Sequence, residues 1–247
     1  METLRNIWTI ARREWRAYFD SPVAYVFIII FLALAGFFTF SVAGFYEAGQ
    51  ADLRGFFFWH PWLYLVLVPA AAMRLWAEER RSGTIELLLT LPITPWQAIA
   101  GKFAAAWLFL LLALALTFPV VITAFYLGRP DLGVIMAGYV GSALLAGAYL
   151  ALGLFTSAVT RNQVISFILA LVIGLFLLLA GFPPVTDFFT RIAPVPVVDA
   201  VASLSFLPHF EALQRGVVDA RDLLYFASVM AFMLLATRQT LAGNPAD

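Results

Sequence analysis

The sequence has no cysteine, which excludes a disulfide framework and any thiolate metal site. Charge is scarce: Asp, Glu, Lys and Arg make up 12% of the 247 residues, against about 25% in an ordinary soluble domain. Fifteen bases balance fifteen acids, so no basic footprint exists for nucleic acid, and none is expected as a partner. Lysine occurs once, as Lys102 between Gly101 and Phe103. The G-x-x-x-x-G-K-[ST] loop that cradles phosphates is therefore absent. The chain is not expected to hydrolyse ATP or to carry a cofactor, and no residue is assigned a catalytic role. Histidine occurs twice. His60 and His209 are far apart in the chain and read as polar groups at a membrane surface, so no metal site is expected.

What remains is apolar. Hydrophobic residues make up 63% of the chain and mean hydropathy is +0.91. This implies an all-α integral membrane protein, with residues 1–247 forming one membrane domain. The first long apolar run comes late and lacks a small-residue cleavage site, so no cleavable signal peptide is expected. About 20 apolar residues cross a bilayer. On that scale the sequence predicts six spans, at about 23–46, 56–76, 96–127, 132–160, 164–183 and 222–240. His60 wets the start of the second. The last is short and borrows flanking residues.

Residues 1–20 precede the spans. Leu4, Ile7, Trp8, Ala11, Trp15 and Tyr18 repeat at helical spacing, with Arg5, Thr9, Arg12, Arg13 and Arg16 on the other side. A basic amphipathic helix with tryptophan lies flat at a membrane surface, so this segment reads as an interfacial elbow helix. Ser21 and Pro22 then cap a new helix. Residues 184–221 are apolar but broken by Pro184, Pro194, Pro196 and Pro208. Irregular backbone at membrane depth needs protein or water beside it. This segment is read as external, with short re-entrant or interfacial helices. On the fourth span, Gly133, Ala137 and Gly141, and separately Ala143, Gly147 and Ala151, are small residues four apart. They allow close helix packing, chiefly within the chain.

No buried acid or base is expected within the spans. A self-powered carrier needs ionisable groups or broken helices near the midplane, so the energy for transport is expected from elsewhere. A membrane enzyme would also need convergent polar residues in the spans, and none is evident. Orientation follows from the cations. Ten lie on one side: Arg5, Arg12, Arg13, Arg16, Arg74, Arg80, Arg81, Lys102, Arg161 and Arg238. The other five are Arg54, Arg129, Arg191, Arg215 and Arg221. The richer side is expected to be cytoplasmic, with both termini.

That side carries the most punctuated stretch, residues 78–102. Gly83 is expected at a helix N-cap, with Glu86 three residues on reaching back to it. Pro92 stops the helix. Thr94, Pro95 and Gln97 then form the start signal of the next: cap, first position and third position. A short helix at the membrane surface is a docking knob for a soluble partner; the plainer reading is a loop whose Glu86 complements the helix dipole.

The run EERRSGTIELLLTLP (residues 78–92) resembles the segment after the second span in ABC-2 type permeases, the membrane subunits of one class of ABC transporters. LALGLFTSAVTRNQ (150–163) and HFEALQRGVVDARDLL (209–224) are similar to the gliding-motility type. The resemblance covers nearly the whole chain. It implies a coupling segment at 78–95, in which Glu79, Arg80, Arg81, Gly83, Thr84, Glu86, Leu87, Thr90 and Pro92 contact an ATPase subunit. A secondary cytoplasmic loop is expected at Arg161, Asn162 and Gln163. It further implies cytoplasmic ABC ATPase subunits that bind the ATP, a second permease subunit, identical or homologous, and an accessory subunit with an external domain. The setting is a bacterial inner membrane, and the direction is export. Alternatives are the nitrous-oxide-reductase maturation type of permease, or a membrane scaffold or assembly factor.

Overall fold

A computed structural model describes residues 2–47, 49–84 and 93–243, and the described residues are helical with no strand. Helix α1 is Glu2–Phe19 and α2 is Pro22–Phe37, continued by a π-helical turn at Phe38–Val42. The Ser21 side chain accepts from Val23 N at 3.3 Å and Pro22 opens the helix, as the sequence predicts. In the π turn the Thr39 hydroxyl donates back to the Ala35 carbonyl at 2.6 Å, which satisfies this buried side chain within its own helix.

The expected second span is not one helix. It is three in series: α3 (Arg54–Phe58), α4 (His60–Ala72) and α5 (Arg74–Ser82). Pro61 opens α4, where a missing N–H costs no ladder bond, and Pro69 lies inside it and removes one. The three helices run from Arg54 to Ser82 with single-residue breaks at Trp59 and Met73.

Helix α6 (Pro95–Ala115) starts on a complete capping box, with Thr94 as cap and Gln97 reciprocating. Gln97 N donates to the Thr94 hydroxyl at 3.4 Å, and Thr94 N to Gln97 Oε1 at 3.1 Å. Helix α7 (Phe118–Leu127) continues α6 past a break at Thr117, just before Pro119. Helix α8 (Leu132–Val159) starts on Asp131, which accepts from Gly133 N. Helix α9 is Gln163–Leu179. The chain then bends by 77° into α10 (Pro183–Phe189). Helices α11 (Val195–Ala202) and α12 (Phe206–Gln214) are short, and α13 (Ala220–Gly243) is last. The proline-broken segment thus folds into short helices, as its composition predicts.

Four helical stretches are long and apolar enough to cross a membrane: Pro22–Val42, Pro95–Leu127, Leu132–Val159 and Ala220–Gly243. The bent pair of α9 and α10 makes a fifth if it is one span.

Helix α8 is the axis of the bundle. It packs against α4, α5, α6, α9, α12 and α13, and Leu145, Tyr149, Leu150 and Leu154 on it are buried. Its small residues make this possible. A Cβ on Gly141 would lie 2.8 Å from Leu213 Cβ, and one on Gly147 would lie 2.7 Å from Met230 Sδ. Both close approaches are to this chain's own helices, in keeping with packing inside the subunit. Helix α1 lies along α6. Its apolar stripe is split: Ala11 and Tyr18 are buried in the protein, while Leu4 and Trp8 stay 75% and 64% exposed.

Candidate functional site

Those predicted site residues that are described gather at one end of the bundle. Glu79, Arg80 and Arg81 occupy the later turns of α5. Gly83 lies between the last turn of α5 and helical Thr84. It ends α5, with φ +73° and ψ 5°. A left-handed residue after the last turn is the usual glycine role at a helix C-terminus, whereas an N-cap needs extended backbone. The Thr84 hydroxyl lies 2.9 Å from the Ser82 hydroxyl, closing this end. Glu86, Leu87, Thr90 and Pro92 lie outside the described residues.

The loop at residues 161–163 meets the same end, because α5 and α9 pack together. Asn162 is the N-cap of α9, its side chain accepting from Val164 N at 2.8 Å and Ile165 N at 3.4 Å. Arg80 is held below the ordinary guanidinium range, first by partial burial and then by the positive charge of Arg161. The two segments assigned separately to partner contact therefore form one surface, with Arg80 and Arg161 within electrostatic reach.

Beneath that surface is an ion-pair cluster. Lys102 Nζ, in α6, is 2.8 Å from Glu79 Oε1 of α5 and 3.2 Å from Glu14 Oε1 of α1. Lys102 is buried, with its ammonium 5.2 Å from the Trp76 ring centroid. Burial by itself would raise the Glu14 carboxyl, but Lys102 and then Arg13, 2.7 Å away, hold it below the usual carboxylate range. One lysine thus ties the first helix to the helix that carries Glu79 and Arg80.

The junction between α4 and α5 is fixed from α8. The Ser157 hydroxyl accepts from Trp76 N and Ala77 N, each at 3.0 Å, and donates to the Met73 carbonyl at 2.8 Å. Farther along α8, the Ser142 hydroxyl lies 2.7 Å from both His60 Nδ1 and the Tyr64 hydroxyl. His60 does not wet a helix end: it is fully buried, packed against the Phe56 and Phe57 rings. At the opposite end from Glu79, His209 Nδ1 of α12 is 2.6 Å from Asp222 Oδ1 of α13.

The expectation of no buried acids or bases in the predicted spans is thus overturned by Lys102, His60 and Asp222. Each has a partner from another helix, and such pairing satisfies a buried polar group. The partners are 88, 82 and 13 residues away, so a reading of local composition misses them. The one available signal was the lone lysine in an apolar run.

The model of the family described as ABC-2 family transporter protein matches residues 62–240, well over half of the chain. The chain belongs to the ABC-2 family. It is a multi-pass membrane protein and a permease subunit of an ABC transporter, a membrane transport component. Membership implies partnership with an ABC ATPase in a bilayer. No curated protein matches the chain. In this ABC-2 permease the matched region takes in most of α4 and the helices after it, including the Ser157 contacts and the Lys102–Glu79 pair.

Proposed function

We propose that this permease is the membrane half of an exporter of the gliding-motility type, driven by cytoplasmic ATPase subunits docking on residues 78–95 and 161–163. Two permease subunits, identical or homologous, form the pathway in a bacterial inner membrane, and an accessory subunit supplies an external domain. Both termini and the docking surface face the cytoplasm, as the ten-to-five cation distribution favours.

The observation that supports docking is the joining of the two loops. Residues 79–84 and 161–163 meet at one end, on helices braced by Lys102 and Ser157. A surface that receives force from a moving partner has to be attached rigidly to the spans, and these contacts attach it. Glu86 is assigned to pair with a basic group on the ATPase from its spacing in the sequence.

Pull-down of the ATPase subunit tests this, comparing wild type, Glu86→Gln and the opposite-side control Glu47→Gln. Truncating one side of a buried charged pair costs about 2–5 kcal/mol, or roughly 30-fold or more in affinity. Glu86→Gln is expected to lose recovery and transport-coupled ATP hydrolysis while its insertion and thermal stability stay normal. Equal recovery by all three proteins would return the stretch to an ordinary loop.

A further inference from the structure

Two cavities meet at Tyr18 and Arg74, and their characters are opposite. One, of about 220 Å³, lies between α1, α5 and α6 and is lined by Glu14, Tyr18, Arg74, Glu78, Glu79 and Lys102. The other, of about 210 Å³, runs between α2 and α4 over Val26, Ile30, Leu67 and Ala70, and also ends on Tyr18 and Arg74. Neither reaches the roughly 300 Å³ at which compact ligand pockets begin. A molecule with a polar head and an apolar tail would use both.

The polar cavity has unused valences of both signs. The Tyr18 side chain is buried, and its hydroxyl meets no hydrogen-bond partner among the described residues. Arg74 sits 5.5 Å from the Tyr18 ring centroid and is in no ion pair among the described residues. Glu79 spends Oε1 on Lys102 while its buried Oε2 has no partner. Glu78, one residue earlier on α5, is exposed at the rim.

We propose that these joined cavities bind one membrane phospholipid with a primary-amine head group. Its phosphate meets the Arg74 guanidinium and the Tyr18 O–H, and its ammonium donates to Glu78 and Glu79 Oε2. One acyl chain lies along α2 and α4. The charge balance selects the head group. The lining carries three carboxylates against two cations, so an anionic head adds unpaired negative charge and a zwitterion does not. A quaternary amine has no N–H to give the carboxylates. The site needs only that the helices lie in a bilayer; it is independent of which ATPase docks and of transport direction.

Native mass spectrometry of the full-length permease tests the proposal, using detergent mixed with equal amounts of dioleoyl phosphatidylethanolamine, phosphatidylcholine and phosphatidylglycerol. The expected result is preferential retention of one phosphatidylethanolamine. Glu78→Gln, a change at an exposed position, weakens that retention roughly fivefold, the scale of one partly screened ion pair. Val26→Trp, at a position 52% exposed, fills the apolar groove and weakens it independently, with the thermal transition in lipid-free detergent unchanged for both variants. Equal retention of the three lipids, a preference for either of the others, or unchanged retention in both variants overturns the proposal.

Discussion

Ser157 of α8 closes the gap that Met73 opens between α4 and α5. Its hydroxyl donates to the Met73 carbonyl at 2.8 Å and accepts from Trp76 N and Ala77 N. Helix α5 has no side-chain cap of its own, and the first N–H groups of any helix need partners. A serine from another helix supplies them. That fixes where α5, and with it Glu79 and Arg80, leaves the bundle.

Ser157→Ala is expected to strand two buried N–H groups and one carbonyl. Leaving a buried polar group unmade costs about 1–3 kcal/mol, so the variant should lose about 2–4 kcal/mol in detergent unfolding. The comparison is Ser166→Ala, whose contact with Thr156 is long, at 3.4 Å, and should cost under about 1 kcal/mol. Equal losses in the two variants would mean that the junction is not held by Ser157.

Sequence and structure agree where the signal is local. The Thr94–Gln97 capping box and the Ser21–Pro22 start each depend on residues within three or four positions, and each forms. The breaks within the second predicted span were not legible for a different reason. Its apolar run is continuous, but what breaks it at Met73 is satisfied by Ser157, 84 residues away. Gly83 ends α5 at φ +73°, a second role for glycine that local spacing does not reveal, and the residues it was expected to cap from Glu86 on lie outside the described residues. His60 was taken for a surface group because its hydrogen-bond partner Ser142 comes from 82 residues away, although Phe56 and Phe57, four and three residues before it, do pack on its ring.

The close packing of α8 gives a second expectation. A Cβ on Gly138 would lie 2.7 Å from Phe57 Cδ2, and Phe57 is itself buried against Tyr139 and His60. Gly138→Ala should therefore cost about 1–3 kcal/mol, the range for overpacking a filled core. Gly36 in α2 has nothing within 4 Å of such a Cβ, and Gly36→Ala should change stability by less than about 0.5 kcal/mol. Thermal unfolding of the two variants decides; a neutral Gly138→Ala would show that α8 and Phe57 separate freely.

His209 and Asp222 join α12 to the first turn of α13. The His209 ring also stacks on Tyr225, centroids 3.9 Å apart. A double-mutant cycle of His209→Ala and Asp222→Ala should give a coupling of about 1 kcal/mol, within the range measured for polar contacts between membrane helices. A coupling under about 0.3 kcal/mol would mean that the short helices are held by Phe206, Phe210 and Leu213 alone.

The Lys102 cluster carries the sharpest expectation because its two acids would oppose one another without it. Lys102→Met leaves Glu14 and Glu79 facing a buried apolar side chain. Breaking a buried pair from one side costs about 3–5 kcal/mol. Here the carboxylates keep 15% and 20% of their exposure, so about 2–4 kcal/mol is expected. Replacing all three groups, with Glu14→Gln and Glu79→Gln added, should recover most of the loss, since a neutral substitute for a buried ion cluster is often tolerated. The pH dependence separates this from simple loss of packing. The Glu14 carboxyl is held below its ordinary 4.5 in the folded protein. Its contribution is therefore complete above about pH 4.5 and is lost as pH falls through the lower folded value. Wild type should lose stability across that acid window. Lys102→Met, having removed the main charge that depresses Glu14, should show a smaller further loss there. Parallel acid profiles for wild type and Lys102→Met would show that Lys102 acts through its packing on Trp76 and not through Glu14.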